Sequence, residues 1–360
     1  LAEPNDYLRR ARERVESPNA TGQPLSRREL AELVGAAGGS FAFADLIRST
    51  QRTPVPLVVG YREVAEVRNI AREFAGWDNR YGGGMLREAS VAQLQYCVEL
   101  LNARCSDHVR PELFSAVGVL ARITGFIAFD AYAHDEDARR MFRFALNCAE
   151  ESGDWHLRAW VLSCMARQAI CCGDPDTGLT FIELAMVRAD RLTASERAIL
   201  HTGRAQALAK LGRVQEAAAA VGAADEEFIH SRTAGDPSTL GYYDAAVHAG
   251  EIGRALADVA VHGHFITEAR HHLSTAVTGH EEDHARLRVL SQSKLASLVM
   301  ATGDPSEAAV IGGQALDALS TIRSRRAADD MRDLRRFSKP HKRITAVAEL
   351  IHRIGTVVVI

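Results

Sequence analysis

The residues of this 360-residue chain that are suited to chemistry fall in a few places, and histidine is the most unevenly distributed, with seven of fourteen between positions 248 and 284. Among them, His280-Glu281-Glu282-Asp283-His284 has two imidazoles one helical turn apart with a carboxylate between them. That spacing can hold zinc while the glutamate activates a water for hydrolysis. The segment follows Gly279 at the start of a helix, where acidic first turns are common, and no apolar helix embeds it. The preferred reading is therefore a solvated turn, with His280, Glu281 and His284 as the weak metal alternative and no metal expected. Cys164, Cys171 and Cys172 fall on one long helix, where a thiol would need a base such as His156 or His201 to become a nucleophile; small core residues are the simpler reading. Asp130, His201 and Tyr243 offer a carboxylate, an imidazole and a phenol for acid–base work.

Trp77-Asp78-Asn79-Arg80-Tyr81-Gly82-Gly83-Gly84 combines an aromatic and charged cluster with three consecutive glycines. A phosphate-binding loop would need a strand before it and a lysine after it, and neither is present, so no nucleotide cofactor is expected. The reading preferred is a structural elbow between two helices, built on Trp77, Asp78, Arg80, Gly82, Gly83 and Gly84, with Asp78 paired to Arg80.

These groups sit in a chain of ordinary globular composition: net charge −3, 47% hydrophobic, 25% charged and only 6% aromatic. Disordered, collagen-like and membrane proteins have other compositions, and a chain of this length buries about 75% of its unfolded surface without staples. The six cysteines show no disulfide or zinc spacing, which predicts a reducing cytoplasm. No leader-like segment opens the chain, and the longest apolar stretch, Phe114 to Ala133, is interrupted by Arg122 and Asp130. The expectation is a protein that is neither secreted nor inserted in a membrane. β-branched alternation is nearly absent, so helix is predicted throughout.

Turns recur at positions 134, 173, 212, 263 and 303, the last four of them glycines, separated by 39, 39, 51 and 40 residues. A longer helix precedes each turn and a shorter one follows, and the extra residues of the long interval map to an exposed loop over Ala223–Gly241 that carries Asp225-Glu226-Glu227. Small residues at facing positions let two antiparallel helices approach and neighbouring pairs stack. The predicted fold is all-α: a helical-hairpin solenoid over 61–345, preceded by a short helical segment at 1–37 and a linker at 38–60, and followed by an apolar tail at 346–360. First helices line the concave face of such a superhelix. The residues placed there are Arg87, Gln93, Asp130, Arg167, Gln168, His201, Arg204, Tyr242, Tyr243, Asp244 and His248. Convergent polar and aromatic groups in an apolar groove suit a peptide, a small molecule or a partner protein.

The units around Gly173, Gly212, Gly263 and Gly303 resemble tetratricopeptide repeats, with a period longer than the usual ~34 residues. More widely the chain resembles the actinobacterial transcription regulators that join a Cro/repressor-type helix-turn-helix to a tetratricopeptide-like domain. The carrying residues are Leu8–Arg14, Pro24–Val34 with its Ser26/Glu29 capping box, Trp77–Gly84, Arg87-Glu88 and Val91–Leu94. Ala128–Ala131, Leu162–Cys164, Ser324–Arg326 and Asp333–Arg336 add to them. The resemblance implies a DNA-reading head, yet Gly35-Ala36-Ala37-Gly38-Gly39 stands where the turn and recognition helix should begin, so DNA binding is doubtful. Arg323–Arg343 alternates basic residues with Asp329, Asp330 and Asp333, as on a solvated cap helix with intrahelical ion pairs. The apolar tail is expected to dock on the last repeat or on a second subunit as a homodimer. A regulator-like protein binding a peptide, small molecule or partner in its groove is favoured. A repeat-fold enzyme of specialised metabolism and a DNA-binding regulator are the alternatives.

Overall fold

Alanine-rich segments cut by glycine and aspartate turns favour helix. Among the residues described by the computed structural model, 53–84, 86–231 and 242–358, there are fourteen α-helices and no strand. The chain divides into Leu1–Pro54 and Val55–Ile360, and the described helices belong to the second unit. The helix-turn-helix-like segment expected at 1–37, and the linker as far as residue 52, lie outside the described residues.

Helices α1 (Tyr61–Tyr81) and α2 (Leu86–Leu100) come first. Five hairpins follow: α3 (Val109–Tyr132) with α4 (Asp135–Ser152), α5 (Trp155–Cys171) with α6 (Pro175–Met186), α7 (Ala194–Lys210) with α8 (Val214–Ile229), α9 (Ala245–Ala260) with α10 (Ile266–Gly279), and α11 (Ala285–Thr302) with α12 (Pro305–Leu319). Helices α13 (Arg325–Ser338) and α14 (Thr345–Val357) end the described chain.

Local chemistry sets these boundaries. Left-handed residues stop the first helices, with Ala133 at φ 55°, Gly173 at 87° and Gly212 at 71°. Aspartates start the next ones: the carboxylates of Asp154, Asp174, Asp244 and Asp304 accept the backbone N–H groups of Leu157, Thr177, Val247 and Ser306. Pro175 and Pro305 occupy first helical positions, where no N–H is needed. Within hairpins the helices approach closely; a Cβ on Gly253 would stand 2.8 Å from Leu273 Cγ and 2.9 Å from its backbone nitrogen.

First helices pack on one another in sequence, α3 on α5, α5 on α7, α7 on α9 and α9 on α11. The row then closes, because α11 packs on α1, and α13 packs on both α11 and α3. The interior is therefore walled by first helices together with α1 and α13. Helix α3 is long and apolar enough to cross a membrane by composition, but 78% of its most apolar window is buried inside this fold.

Three expectations change. The acidic run 225–227 is helical, since α8 extends to Ile229: Glu227 binds Arg197 through two contacts of 2.8 Å, and Ala224 continues its buried face. Helix α13 is solvated on one side only, where Arg332 pairs with Asp329 and Arg336 with Asp333 as expected; on the other side Arg326 and Asp330 are buried at 4% and 5% exposure among the charges of the inner helices. The pairing of Asp78 with Arg80 does not form; Asp78 meets Arg286 at 2.9 Å and Arg80 meets Asp283 at 2.8 Å. Of the tail expected at 346–360, residues as far as Val357 belong to α14, with Val347, Leu350 and Ile354 buried and the helix packed against α12 and α13.

Closure needs the glycines after α1. Gly82 has φ 72° and bridges to Arg323, and a Cβ there would stand 2.4 Å from the Arg323 carbonyl oxygen. Gly82→Ala should therefore lower unfolding free energy by about 2–4 kcal/mol. Gly222→Ala, in α8 with nothing within 4 Å of its Cβ, should instead stabilise by up to ~1 kcal/mol. Urea unfolding of both variants measures the contrast.

Candidate functional site

Charged side chains are buried where the inner helices meet. Asp130 on α3 is 1% exposed: Oδ1 accepts from Arg326 Nε at 2.9 Å, and Oδ2 accepts from Arg286 Nη1 at 3.0 Å and from Ser324 Oγ at 3.1 Å. Arg286 reaches on to Asp78 and to Asn79 Oδ1, at 2.9 and 2.8 Å, so α1, α3, α11 and α13 meet at one knot. A second knot joins α9, α11 and α13, where Asp330 binds Arg254 at 2.9 Å and Lys294 at 3.1 Å. A third joins α5 to α9 through the fork of Arg167 on Glu251, 3.1 and 2.9 Å.

Proton affinities follow. Burial raises the Asp130 carboxyl, but Arg326 and Arg286 more than offset it and hold it well below the usual carboxylate range. Glu251, buried beside Arg167, is brought to about 2. Asp330 is also lowered, burial being outweighed by Lys294 and Arg254. Asp78 moves the other way, because burial and the neighbouring Asp130 outweigh its attraction to Arg286.

Beside the first knot lies a cleft of about 650 Å³ between α1, α3, α5 and the start of α7, continuous in its lining with a deeper hollow of about 130 Å³. Ala75, Asn79, Arg122, Ile123, Trp160 and Tyr242 line both spaces. The Arg122 guanidinium lies 3.6 Å over the Trp160 ring, a cation–π contact. Its hydrogen bond is a weak one to Cys164 Sγ at 3.8 Å. On the cleft wall His156 Nδ1 meets Glu196 at 2.8 Å, which raises its proton affinity, and Ser115 donates to Asp154 at 2.7 Å. Arg68 pairs with Glu112, and Arg72 donates to Asn69. Such a lining can bind and orient a ligand. Among the described residues no three His, Cys, Asp or Glu side chains are grouped to hold a metal ion.

Of the residues placed in the groove from sequence, Arg167, Tyr242 and Tyr243 reach the deeper hollow, and Asp130 lies in the first knot. The others are used elsewhere. Arg87 pairs with Glu88 and Asp137, Gln93 donates to Cys97 Sγ, Gln168 donates to the Asp135 carbonyl, and Asp244 caps α9. Tyr243 Oη and Asp225 Oδ1 hold the two ring nitrogens of His248, at 2.7 and 2.9 Å. His201 and Arg204 lie half-buried on α7, where burial lowers the His201 proton affinity. Neither the cleft nor the hollow behind it is lined by Asp130 or His201, whereas Tyr243 lines the hollow.

Trp77 and Tyr81 are exposed, and Gly82, Gly83 and Gly84 form the turn into α2 beside Arg323 and Ile127. His280 is not in a solvated turn: it is 3% exposed, burial pushes it down to about 4, and neither ring nitrogen has a hydrogen-bond partner. His284 is half-buried with its ring 6.2 Å away, whereas Glu281 is exposed. No family model matches this chain, and no curated protein is significantly similar to it.

Sequence reasoning missed Trp160, Glu251, Arg254, Arg286 and Lys294 as interior residues. One signal for the interior was present, since Arg122 and Asp130 interrupt an apolar stretch and a charge in such a helix needs a partner or a task.

Asp130→Ala should cost about 3–5 kcal/mol by stranding two buried guanidinium groups. Glu66→Ala, in an exposed pair with Arg62, should cost at most ~0.5 kcal/mol. A depressed histidine contributes stability that is complete above the unfolded value of ~6.5 and is lost as pH falls through its folded value, about 4 for His280. His280→Gln should therefore lose stability less steeply than wild type between those limits. Thermal unfolding from pH 7 to pH 4 tests this.

Proposed function

We propose that this protein is a tetratricopeptide-like helical-hairpin ligand-binding protein that takes a small molecule into the cleft between α1, α3 and α5. The observation carrying this reading is the cleft itself. At about 650 Å³ it falls within the ~300–1,000 Å³ of small-molecule pockets, and it combines apolar walls with a few convergent polar groups. Ion pairs cross between the inner helices beside it, which favours a bounded small molecule over a long peptide or a partner's tail. The helical hairpins, with turns recurring near the positions predicted, support the repeat assignment, and a regulator-like role follows from the resemblance. Six free thiols suit a reducing, cytoplasmic setting.

The test is thermal unfolding of the full chain with a metabolite library and with small-molecule fractions of a bacterial extract. A ligand present at one hundred times its Kd adds about 2.7 kcal/mol. Val119 lines the cleft, so Val119→Trp should keep the helical circular dichroism and lose the shift. If no compound shifts the wild type, or the shift survives in Val119→Trp, the reading fails.

A further inference from the structure

Among the described residues the fully buried charges of the inner helices balance except at one. Arg286 is answered by Asp78 and Asp130, Arg326 by Asp130, and Arg167 by Glu251. Arg254 is answered by Asp330, and Lys294 by Asp330 and Asp258. Arg122, 7% exposed, has no carboxylate partner among the described residues, and its Nε has no hydrogen-bond acceptor. It lines both the cleft and the hollow behind it. A buried guanidinium left in this state is costly, and stacking on Trp160 supplies attraction without an acceptor for its N–H groups.

Building on the cleft reading, we propose that Arg122 is the recognition residue for the carboxylate of a small organic acid. The acid's apolar body would lie against Ala75, Val119 and Ile123, which line the cleft. A planar monoanion matches the guanidinium fork and neutralises the single surplus charge. A phosphate dianion would add a second negative charge near Asp78 and Glu251. The Tyr242 hydroxyl, which lines the same space and has no hydrogen-bond partner among the described residues, is a second donor for the carboxylate.

The test uses aryl and alkyl carboxylates of graded size, each beside its uncharged primary amide, with inorganic phosphate as a further arm, by thermal shift and calorimetry. At least one carboxylate should bind wild type, with its amide about tenfold weaker or more. Arg122→Met should remove that preference. Arg62→Met, exposed on α1 outside the cleft lining, should change affinity less than about threefold. Without ligand, Arg122→Met should unfold within about 3 °C of wild type, since it removes an unanswered charge along with one stacking contact.

Equal binding of amides and carboxylates overturns the assignment while leaving the cleft reading intact. Stabilisation by phosphate alone, no binding by any carboxylate, or collapse of ligand-free Arg122→Met also overturns it. Insensitivity of every binding event to Val119→Trp would remove the cleft reading as well.

Discussion

Asp130 is joined to Arg286 and Arg326 across 156 and 196 residues of chain, and this contact decides what kind of object a row of helical hairpins becomes. Left to nearest-neighbour packing, stacked hairpins propagate as an open spiral. Here the eleventh and thirteenth helices return to the first and third, and buried charges meet there alongside the apolar Ala327, Met331 and Leu334. Removing two guanidinium groups and a carboxylate from water is expensive, and their attraction repays it only when the geometry leaves few lone pairs idle. Asp130 meets that condition through Arg286, Arg326 and Ser324. The knot therefore contributes less as net stability than as selection, since an arrangement that moved α13 by one helical turn would strand buried charges.

Closure by charge also explains the hollow interior. Aliphatic side chains would pack to the density of a crystal and leave few voids larger than a water molecule. Forked ion pairs between helix axes hold the walls together without filling the space between them, so a cleft persists beside Trp160. A second hollow, of about 570 Å³ near the α7–α8 turn, makes an instructive contrast. Its Lys210, Lys294, Asp258, Asp333 and Arg336 answer one another, so it presents no unmet charge to a ligand.

How much of this was legible in the sequence depended on range. The hairpins were readable because each turn is fixed by residues within a few positions of it, as with Gly173 before Asp174 and Pro175, or Gly303 before Asp304 and Pro305. The groove was less so. Arg87, Gln168 and Asp244 have the polarity of ligand contacts, but the backbone and neighbouring helix ends consume them. Charges on α13 looked solvated because alternating signs usually pair along their own helix. Arg332 with Asp329 and Arg336 with Asp333 do pair in that way, but the partners of Arg326 and Asp330 are Asp130, Arg254 and Lys294, and no local pattern encodes a contact that exists only after the chain has closed. The same limit hid the burial of His280, whose acidic neighbours Glu281 and Glu282 are exposed.

The cleft and the closure are physically one unit, and Asn79 shows why. It lines both the cleft and the hollow behind it, and its Oδ1 accepts from Arg286. Asp78, one residue earlier, pairs with the same guanidinium and has one buried oxygen without a partner. A molecule entering the cleft therefore meets the α1 side of the knot directly, with no intervening layer of packed side chains. Any preference it has between the present position of α1 and a displaced one acts on the ion pairs that keep the helices closed. Because those pairs are buried and discrete, the closure resists small adjustments, and a shift would break or re-form whole contacts. A fold that uses its charges to close itself thus places those ion pairs beside the cleft proposed to hold a ligand.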